Sequence, residues 1–253
     1  MERNDYSISS VEKVFKLVEV MAEKNGELSV TQIAEKLDSS VSSVNRFLQT
    51  MERIGYVKKN VVTKKYFLTN KIFALTNKVL RNDTCVNTML PMARLFANKY
   101  DIMVNVNSIH NKDAITMYVF PRYNIKEMDY QLGDSAPAYA SGAGRSMLSL
   151  YSPKELDEYF KDIDLIKYQR NTLCSESAIR ESLKEVRENG YASSVEEYTL
   201  GLYSLSFPVK TKTNTYYSIT LITPLTEYKK VFNKTVIFEV KSIMQEKKKL
   251  FEG

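Results

Sequence analysis

Residues 28–67 read LSVTQIAEKLDSSVSSVNRFLQTMERIGYVKKNVVTKKYF, and this stretch decides the fold of the amino-terminal third. Ser29 followed three positions on by Gln32 forms a capping box, in which each side chain satisfies a backbone N–H that a first helical turn leaves free. Ile33, Ala34 and Leu37 give the helix that follows an apolar side. Asp38-Ser39-Ser40 makes a polar turn. A second helix then runs from about Val41 to Ile54, with Val44, Phe47, Leu48 and Met51 as its buried stripe, and Gly55 stops it. Tyr56–Lys59 and Lys65–Leu68 read as a β-hairpin whose tip is flanked by Lys58, Lys59, Lys64 and Lys65.

The stripe in the second helix turns Ser42, Ser43, Asn45, Arg46 and Gln49 elsewhere. Short hydroxyls at a helix start can approach phosphates closely, and asparagine and arginine offer hydrogen bonds to base edges. A generic helix pair with a solvated hairpin would explain each piece separately. The order helix, capped helix, polar turn, helix, basic hairpin instead predicts a winged helix-turn-helix able to place one helix in a major groove and its wing on phosphate. Charge points the same way. Residues 1–82 carry 14 Lys/Arg against 9 Asp/Glu, whereas the remaining residues carry 22 against 21. Such a field suits a polyanion, although a solvated lysine-rich face would produce it as well.

Upstream, Val11, Val14, Phe15, Val18 and Met21 recur at helical spacing between about Ser10 and Ala22, before a break at Asn25-Gly26. Downstream, Asn70 to about Arg81 reads as a linker helix and Val86–Lys99 as an amphipathic one. Strands are expected at Met103–Ile109 and Ala114–Phe120, then a small-residue loop from Gly133 to Gly144 feeding a helix at Ser146–Tyr151. Helices at Pro153–Phe160 and Ser175–Asn189 precede strands at Tyr191–Ser194, Leu205–Lys210 and Tyr216–Ile222, and one last helix spans about Lys229–Phe251. The fold class is therefore α+β, a sensor-like domain after a helical head. The expected divisions are 1–69 for the winged helix, 70–83 for the linker helix and 84–253 for the sensor.

Several classes of chemistry are disfavoured. One histidine, His110, and two scattered cysteines, Cys85 and Cys174, cannot make the usual zinc clusters, and a disulfide framework is not proposed. No cofactor or metal is expected. No apolar run approaches the ~20 residues needed to cross a bilayer, and MERNDYSISS lacks an export signal's basic start and apolar run. A cytoplasmic protein with no membrane partner is expected.

Two segments could shape a small-molecule site. In AYASGAGRSML, residues 138–148, Gly142 and Gly144 remove side chains where the chain enters a helix, whose first-turn N–H groups suit a carboxylate or phosphate. Tight helix–sheet packing would require the same glycines. The segment follows neither the dinucleotide nor the P-loop pattern. In GYASSVEEYTLGLYSLSFPV, residues 190–209, Glu196 and Glu197 are adjacent carboxylates. Sequence neighbours seldom point into one site, and no nucleophile or metal set accompanies them, so a structural role is expected ahead of acid/base catalysis.

Taken in order, SVEKVFKLVEVMAEKNGELSVTQIAEKLDSSVSSVNRFLQTMERIGYVKK, ASGAGRSMLSL, RENGYASSVEEYTLGLYSLSFPV and LITP make the chain resemble the isocitrate lyase regulator (IclR-type) family of bacterial transcription factors over nearly its whole length. The resemblance implies a winged helix that binds operator DNA, a linker helix that helps dimerise, and a GAF-like effector-binding domain. It also implies a homodimer or dimer of dimers on pseudo-palindromic double-stranded sites. Carried over by position, the effector residues are Ala136, Gly142, Ala143, Ser194, Leu202, Ser204, Thr220 and Ile222. Family members that sense small keto or glyoxylate-type acids place an acidic residue about where Ser194 stands, and serines about where Thr220 and Ile222 stand; here Thr220 keeps a hydroxyl, but Ser194 removes a charge and Ile222 a hydrogen-bond partner.

The function expected is a ligand-responsive transcriptional regulator without catalytic activity, its operator affinity modulated by a small organic-acid or sugar-acid-like effector. The alternatives are a small-molecule enzyme with an accessory DNA-binding domain, or an effector-less architectural protein.

Overall fold

A computed structural model describes residues 8–23, 26–122 and 130–251. The chain divides into two compact units, Met1–Asn82 and Asp83–Gly253. The first holds α1 (Ser9–Glu23), α2 (Val30–Lys36), α3 (Val41–Arg53), the strands β1 (Val57–Lys59) and β2 (Tyr66–Leu68), and α4 (Lys71–Asn82). Its core gathers Leu17, Met21, Leu28, Ile33, Val44, Leu48, Met51, Val57 and Tyr66.

Local chemistry sets these elements. Ser29 caps α2 in the expected box, its hydroxyl accepting from the Gln32 N–H at 3.2 Å while Gln32 Oε1 accepts from the Ser29 N–H at 2.9 Å. Ser40 caps α3, and Gly55 leaves it with φ +83°, a conformation costly for any residue with a Cβ. Leu28 and Tyr66 exchange backbone hydrogen bonds of 2.9 and 2.8 Å, adding an edge to the two-stranded wing. The Asn25 half of the expected Asn25-Gly26 break lies outside the described residues.

One expectation changes in α1. Val11 and Phe15 are 50% and 65% exposed, and Leu17, fully buried, takes their place in the core beside Val14, Val18 and Met21. Two apolar series at helical spacing share Val14 and Val18. The contacts of α1 with α2 and β2 select the one containing Leu17, a tertiary choice that periodicity alone cannot make.

The second unit opens with α5 (Thr84–Tyr100), capped by Asp83, whose carboxylate accepts from the Val86 N–H at 2.9 Å. There follow β3 (Met103–His110), β4 (Asp113–Phe120), β5 (Ser135–Pro137), a 3-10 turn at Ala138–Ala140, α6 (Gly142–Leu148), α7 (Pro153–Phe160) and α8 (Glu176–Asn189). The chain ends with β6 (Ala192–Val195), β7 (Leu202–Lys210), β8 (Tyr216–Pro224), α9 (Tyr228–Val231) and α10 (Lys234–Phe251). The six strands form one antiparallel sheet in the order β5-β4-β3-β8-β7-β6.

The two faces of this sheet differ. Val104, Val106, Leu205, Phe207, Ile219 and Leu221 alternate onto one face and pack with Val86, Met89, Ala93 and Phe96 of α5 and Val240 of α10. Each such side chain contributes on the order of 1.5–3 kcal/mol by leaving water. The other face packs against α6, which in turn packs on α8. Its residues are largely polar, and they build the site described next.

Several boundaries differ from the sequence reading, among them the start of β7 at Leu202, three residues ahead of the expected Leu205. The helix expected at Ser146–Tyr151 begins at Gly142 and ends at Leu148, because Ser141 supplies a cap, its hydroxyl accepting from the Gly144 N–H at 3.1 Å. The expected loop from Gly133 contains β5 and the 3-10 turn, since β5 finds backbone partners on β4. The last helix is interrupted between Val231 and Lys234, where Phe232 is buried in the core and Asn233 accepts from the Val236 N–H at 3.1 Å to start α10.

Candidate functional site

In the amino-terminal unit, Ser42, Arg46 and Gln49 are exposed and Ser43 and Asn45 half-buried. Positions 42, 45, 46 and 49 stand three and four apart on α3 and so share one side of the helix. Ser43 is partly committed: the Ser40 hydroxyl accepts from its N–H at 3.2 Å and donates to its hydroxyl at 2.9 Å. Lys58, Lys59 and Lys64 are exposed and Lys65 half-buried. The Lys59 ammonium sits 5.3 Å from the Tyr66 ring centroid, and its backbone N–H donates to Glu52 Oε1 at 3.1 Å.

The tip of the wing is folded by a residue that the local pattern does not flag. Asn60 Oδ1 accepts from the Val62 and Thr63 N–H groups at 2.8 and 3.2 Å. The Asn60 amide and the Thr63 hydroxyl both donate to the Glu27 carboxylate, which ties the turn to the segment before α2. Those two hydrogen bonds hold the Glu27 carboxyl below its ordinary range. Residues 33 and 36 positions apart leave no spacing signature.

In the second unit, a cavity of about 490 Å³ lies between the polar face of the sheet and the start of α6. Ala136, Gly142, Ala143, Ser194, Leu202, Ser204, Thr220 and Ile222 all line it, so positions spread over more than eighty residues of sequence meet around one space. Strand register accounts for this. Ser194 pairs with Ser204, Ser204 with Ile222, and Thr220 with Ser206 and Asn105, which keeps their side chains on one face. A Cβ at Gly142 would lie 3.0 Å from Ser204 Oγ, 3.1 Å from Ser194 Cβ and 3.2 Å from Ser206 Oγ. Glycine there keeps the cavity's inner end open. A Cβ at Gly144 would lie 2.2 Å from the Ala138 backbone, so that glycine serves packing.

The adjacent carboxylates go separate ways. Glu197 is buried and accepts from both terminal nitrogens of Arg145, itself 1% exposed. Glu196, at φ +49°, accepts from the Gly201 N–H at 2.9 Å and closes its loop. Neither is paired with a nucleophile. Burial and the neighbouring Asp83 push the Cys85 thiol up to about 12, leaving it unreactive near neutrality. Among the described residues no group of three or more His, Cys, Asp or Glu could hold a metal ion, and no helix is long and apolar enough to cross a membrane.

Residues 10–60 match the IclR helix-turn-helix domain, and residues 77–246 match the bacterial transcriptional regulator IclR C-terminal domain. The chain belongs to the IclR family. It is 27% identical to the HTH-type transcriptional regulator KdgR of Escherichia coli over 210 residues, covering 83% of this chain and 79% of that one. The fold matches an IclR transcriptional regulator from Alicyclobacillus acidocaldarius with a TM-score of 0.81 at 19% identity, over 97% and 98% of the two chains. It also matches an IclR homolog from Microbacterium hydrocarbonoxydans complexed with 4-hydroxybenzoate, with a TM-score of 0.77 at 14% identity, over 96% and 97%. This IclR-family chain is thus a transcriptional regulator with a helix-turn-helix DNA-binding domain and a carboxy-terminal ligand-binding domain, and not an enzyme.

Sequence reasoning overlooked several groups in this regulator. Asn105, Asn107, Thr116, Tyr130 and Ser141 also line the cavity. The asparagines alternate within an apolar strand, MVNVNSIH, and that period-two pattern of amides was the available signal. Arg145 had none, because its partner Glu197 stands 52 positions away.

Proposed function

We propose that this IclR-family regulator binds operator DNA through α3 and the wing, and that a small organic effector held in the cavity changes that affinity. Ser42, Ser43, Asn45, Arg46 and Gln49 face or border the major groove, and Lys58, Lys59, Lys64 and Lys65 contact phosphate. The side of α3 opposite its buried stripe is free to enter a groove, and the wing lysines project beside it in sequence. The effector, of organic-acid or sugar-acid type, contacts Ala136, Gly142, Ala143, Ser194, Leu202, Ser204, Thr220 and Ile222. The observation that carries this half of the reading is the convergence of those eight residues on one cavity. The 4-hydroxybenzoate complex of a structural relative offers a precedent for small-molecule binding in the fold.

The regulator acts as a homodimer or dimer of dimers on pseudo-palindromic double-stranded DNA in the cytoplasm, since paired heads read paired half-sites. Support comes from Ile8, Val11 and Phe15 on and before α1 and Phe73 and Val79 on α4, all half exposed or more although apolar. Control requires only that the effector bind one arrangement of the paired heads more tightly than another. Footprinting of the region upstream of the regulator's own gene, with light scattering on the purified protein, tests the proposal. Protection of an inverted repeat by an even-numbered assembly supports it, and uniform protection by a monomer contradicts it.

A further inference from the structure

A sheet face covered by a helix ordinarily reads apolar, because polar groups there lose water. The cavity face of this sheet does not. Asn105 and Asn107 are 2% and 4% exposed, and Ser206, Ser218 and Thr220 are buried beside them. Asn107 Nδ2 donates to Thr220 Oγ1 at 3.0 Å and Ser218 Oγ at 3.2 Å, and Asn107 Oδ1 accepts from Thr116 Oγ1 at 3.3 Å. Thr220 Oγ1 donates on to Ser206 Oγ at 3.1 Å. This network holds the Asn107 amide in one orientation and leaves little of it for a ligand.

Asn105 is different. It lies two residues along the same strand, on the same face, opposite Thr220, and it lines the cavity. Its Oδ1 is buried without a hydrogen-bond partner, a costly state that a bound donor would relieve. Among the described residues no lysine, arginine or histidine side chain lines the cavity. Three carboxylates line it too, but each already accepts within the protein, Asp134 from the Gln131 N–H, Glu196 from the Gly201 N–H and Glu197 from Arg145, so discrimination there falls mainly to amides and hydroxyls. A ligand without a hydroxyl or N–H donor would leave Asn105 stranded, whereas a chain of hydroxyls can donate to it and exchange hydrogen bonds with several members of the serine and threonine row at once.

We propose that the cavity selects a polyhydroxylated, carbohydrate-derived ligand, with Asn105 as the residue that reads its hydroxyls. The proposal rests on the effector reading of the cavity and narrows its chemistry. Titration calorimetry and thermal shift on the full-length protein test it with matched probes: gluconate against hexanoate, sorbitol against 1,6-hexanediol, and 4-hydroxybenzoate. At least one hydroxylated probe is expected to bind at least about tenfold more tightly than its deoxygenated match, since a site built around hydrogen bonds rejects analogues lacking them. The gluconate and sorbitol arms separate a sugar acid from a neutral polyol.

Asn105→Leu should abolish that preference while leaving the ligand-free melting temperature unchanged or higher, because no hydrogen bond to Oδ1 is lost. Asn105→Ala gives the same readout should leucine overfill the site. Equal or tighter binding of hexanoate, hexanediol or 4-hydroxybenzoate, or an undiminished preference in both variants, would overturn the proposal alone. Failure of all five probes to bind would count against the effector reading as well.

Discussion

Arg145 and Glu197 form a bidentate pair inside the ligand-binding unit, Nη2 donating to Oε1 at 2.9 Å and Nη1 to Oε2, while Nη2 also reaches the Ser193 carbonyl at 2.7 Å. The pair fastens the β6–β7 connection to α6, and both segments line the cavity. Removing one partner leaves the other buried and uncompensated, a change that costs about 3–5 kcal/mol. Glu197→Gln should therefore lower the stability of this unit by that order in urea unfolding. Arg145→Met combined with Glu197→Leu should recover most of the loss, because burying two charges offsets much of their attraction.

Gly142 and Gly144 are expected to separate ligand recognition from packing within a single turn. The nearest atoms to a Cβ at 142 are serine side chains at 3.0–3.2 Å, which can shift by a few tenths of an ångström. Gly142→Ala should fold with a melting temperature close to the parent and bind ligand poorly. Gly144→Ala would drive a methyl against the Ala138 backbone at 2.2 Å, and a loss of folded yield is expected. Thermal unfolding alongside ligand titration distinguishes the two; equal effects on both readouts would contradict the assignment.

The contrast between these sites shows what one sequence can disclose. Capping at Ser29, the stop at Gly55 and the stripe in α3 depend on residues a few positions apart, so their physics is local and legible. The cavity residues at 136, 142, 143, 194, 202, 204, 220 and 222 came from family resemblance, because only strand register brings them together. Arg145 with Glu197, and Glu27 with Asn60 and Thr63, join distant segments through side chains and leave no periodic trace. The misplacement of Val11 and Phe15 has a similar origin. A helix with two overlapping apolar series needs its neighbours to decide which one is buried.

The wing carries a pH dependence whose sign is fixed by Glu27. Hydrogen bonds from Thr63 and Asn60 depress its carboxyl below the ordinary value of 4.5. Its contribution to wing order is therefore fully present above that ordinary value and disappears as pH falls through the lower, folded-state one. Protection factors of the Val62 and Thr63 amides, taken as observed exchange relative to the intrinsic rate at each pH and followed by NMR to below pH 4.5, should fall there in the parent protein. Glu27→Gln should show weakened protection at all pH values with no such step. An identical profile for both proteins would count against a role for this carboxylate.

Charge and specificity on the DNA face should separate by residue. Lys64 is exposed at the wing tip, at φ +59°, and Lys64→Gln should weaken binding on every sequence while reducing the salt slope by about 1. Arg46→Ala should instead cost on the order of 1–3 kcal/mol on the operator and little on unrelated DNA, if its guanidinium reads a base edge from the groove. Anisotropy titrations over a range of salt concentrations measure both quantities together.

Sequence-specific operator binding through α3 is tested by an anisotropy titration of the parent protein and Arg46→Ala against the duplex upstream of its own gene and a scrambled duplex of equal composition. Base reading by Arg46 requires a salt-sensitive preference of the parent for the native duplex, largely erased by Arg46→Ala. Equal affinity of the parent for both duplexes, or a preference untouched by removing Arg46, would contradict it.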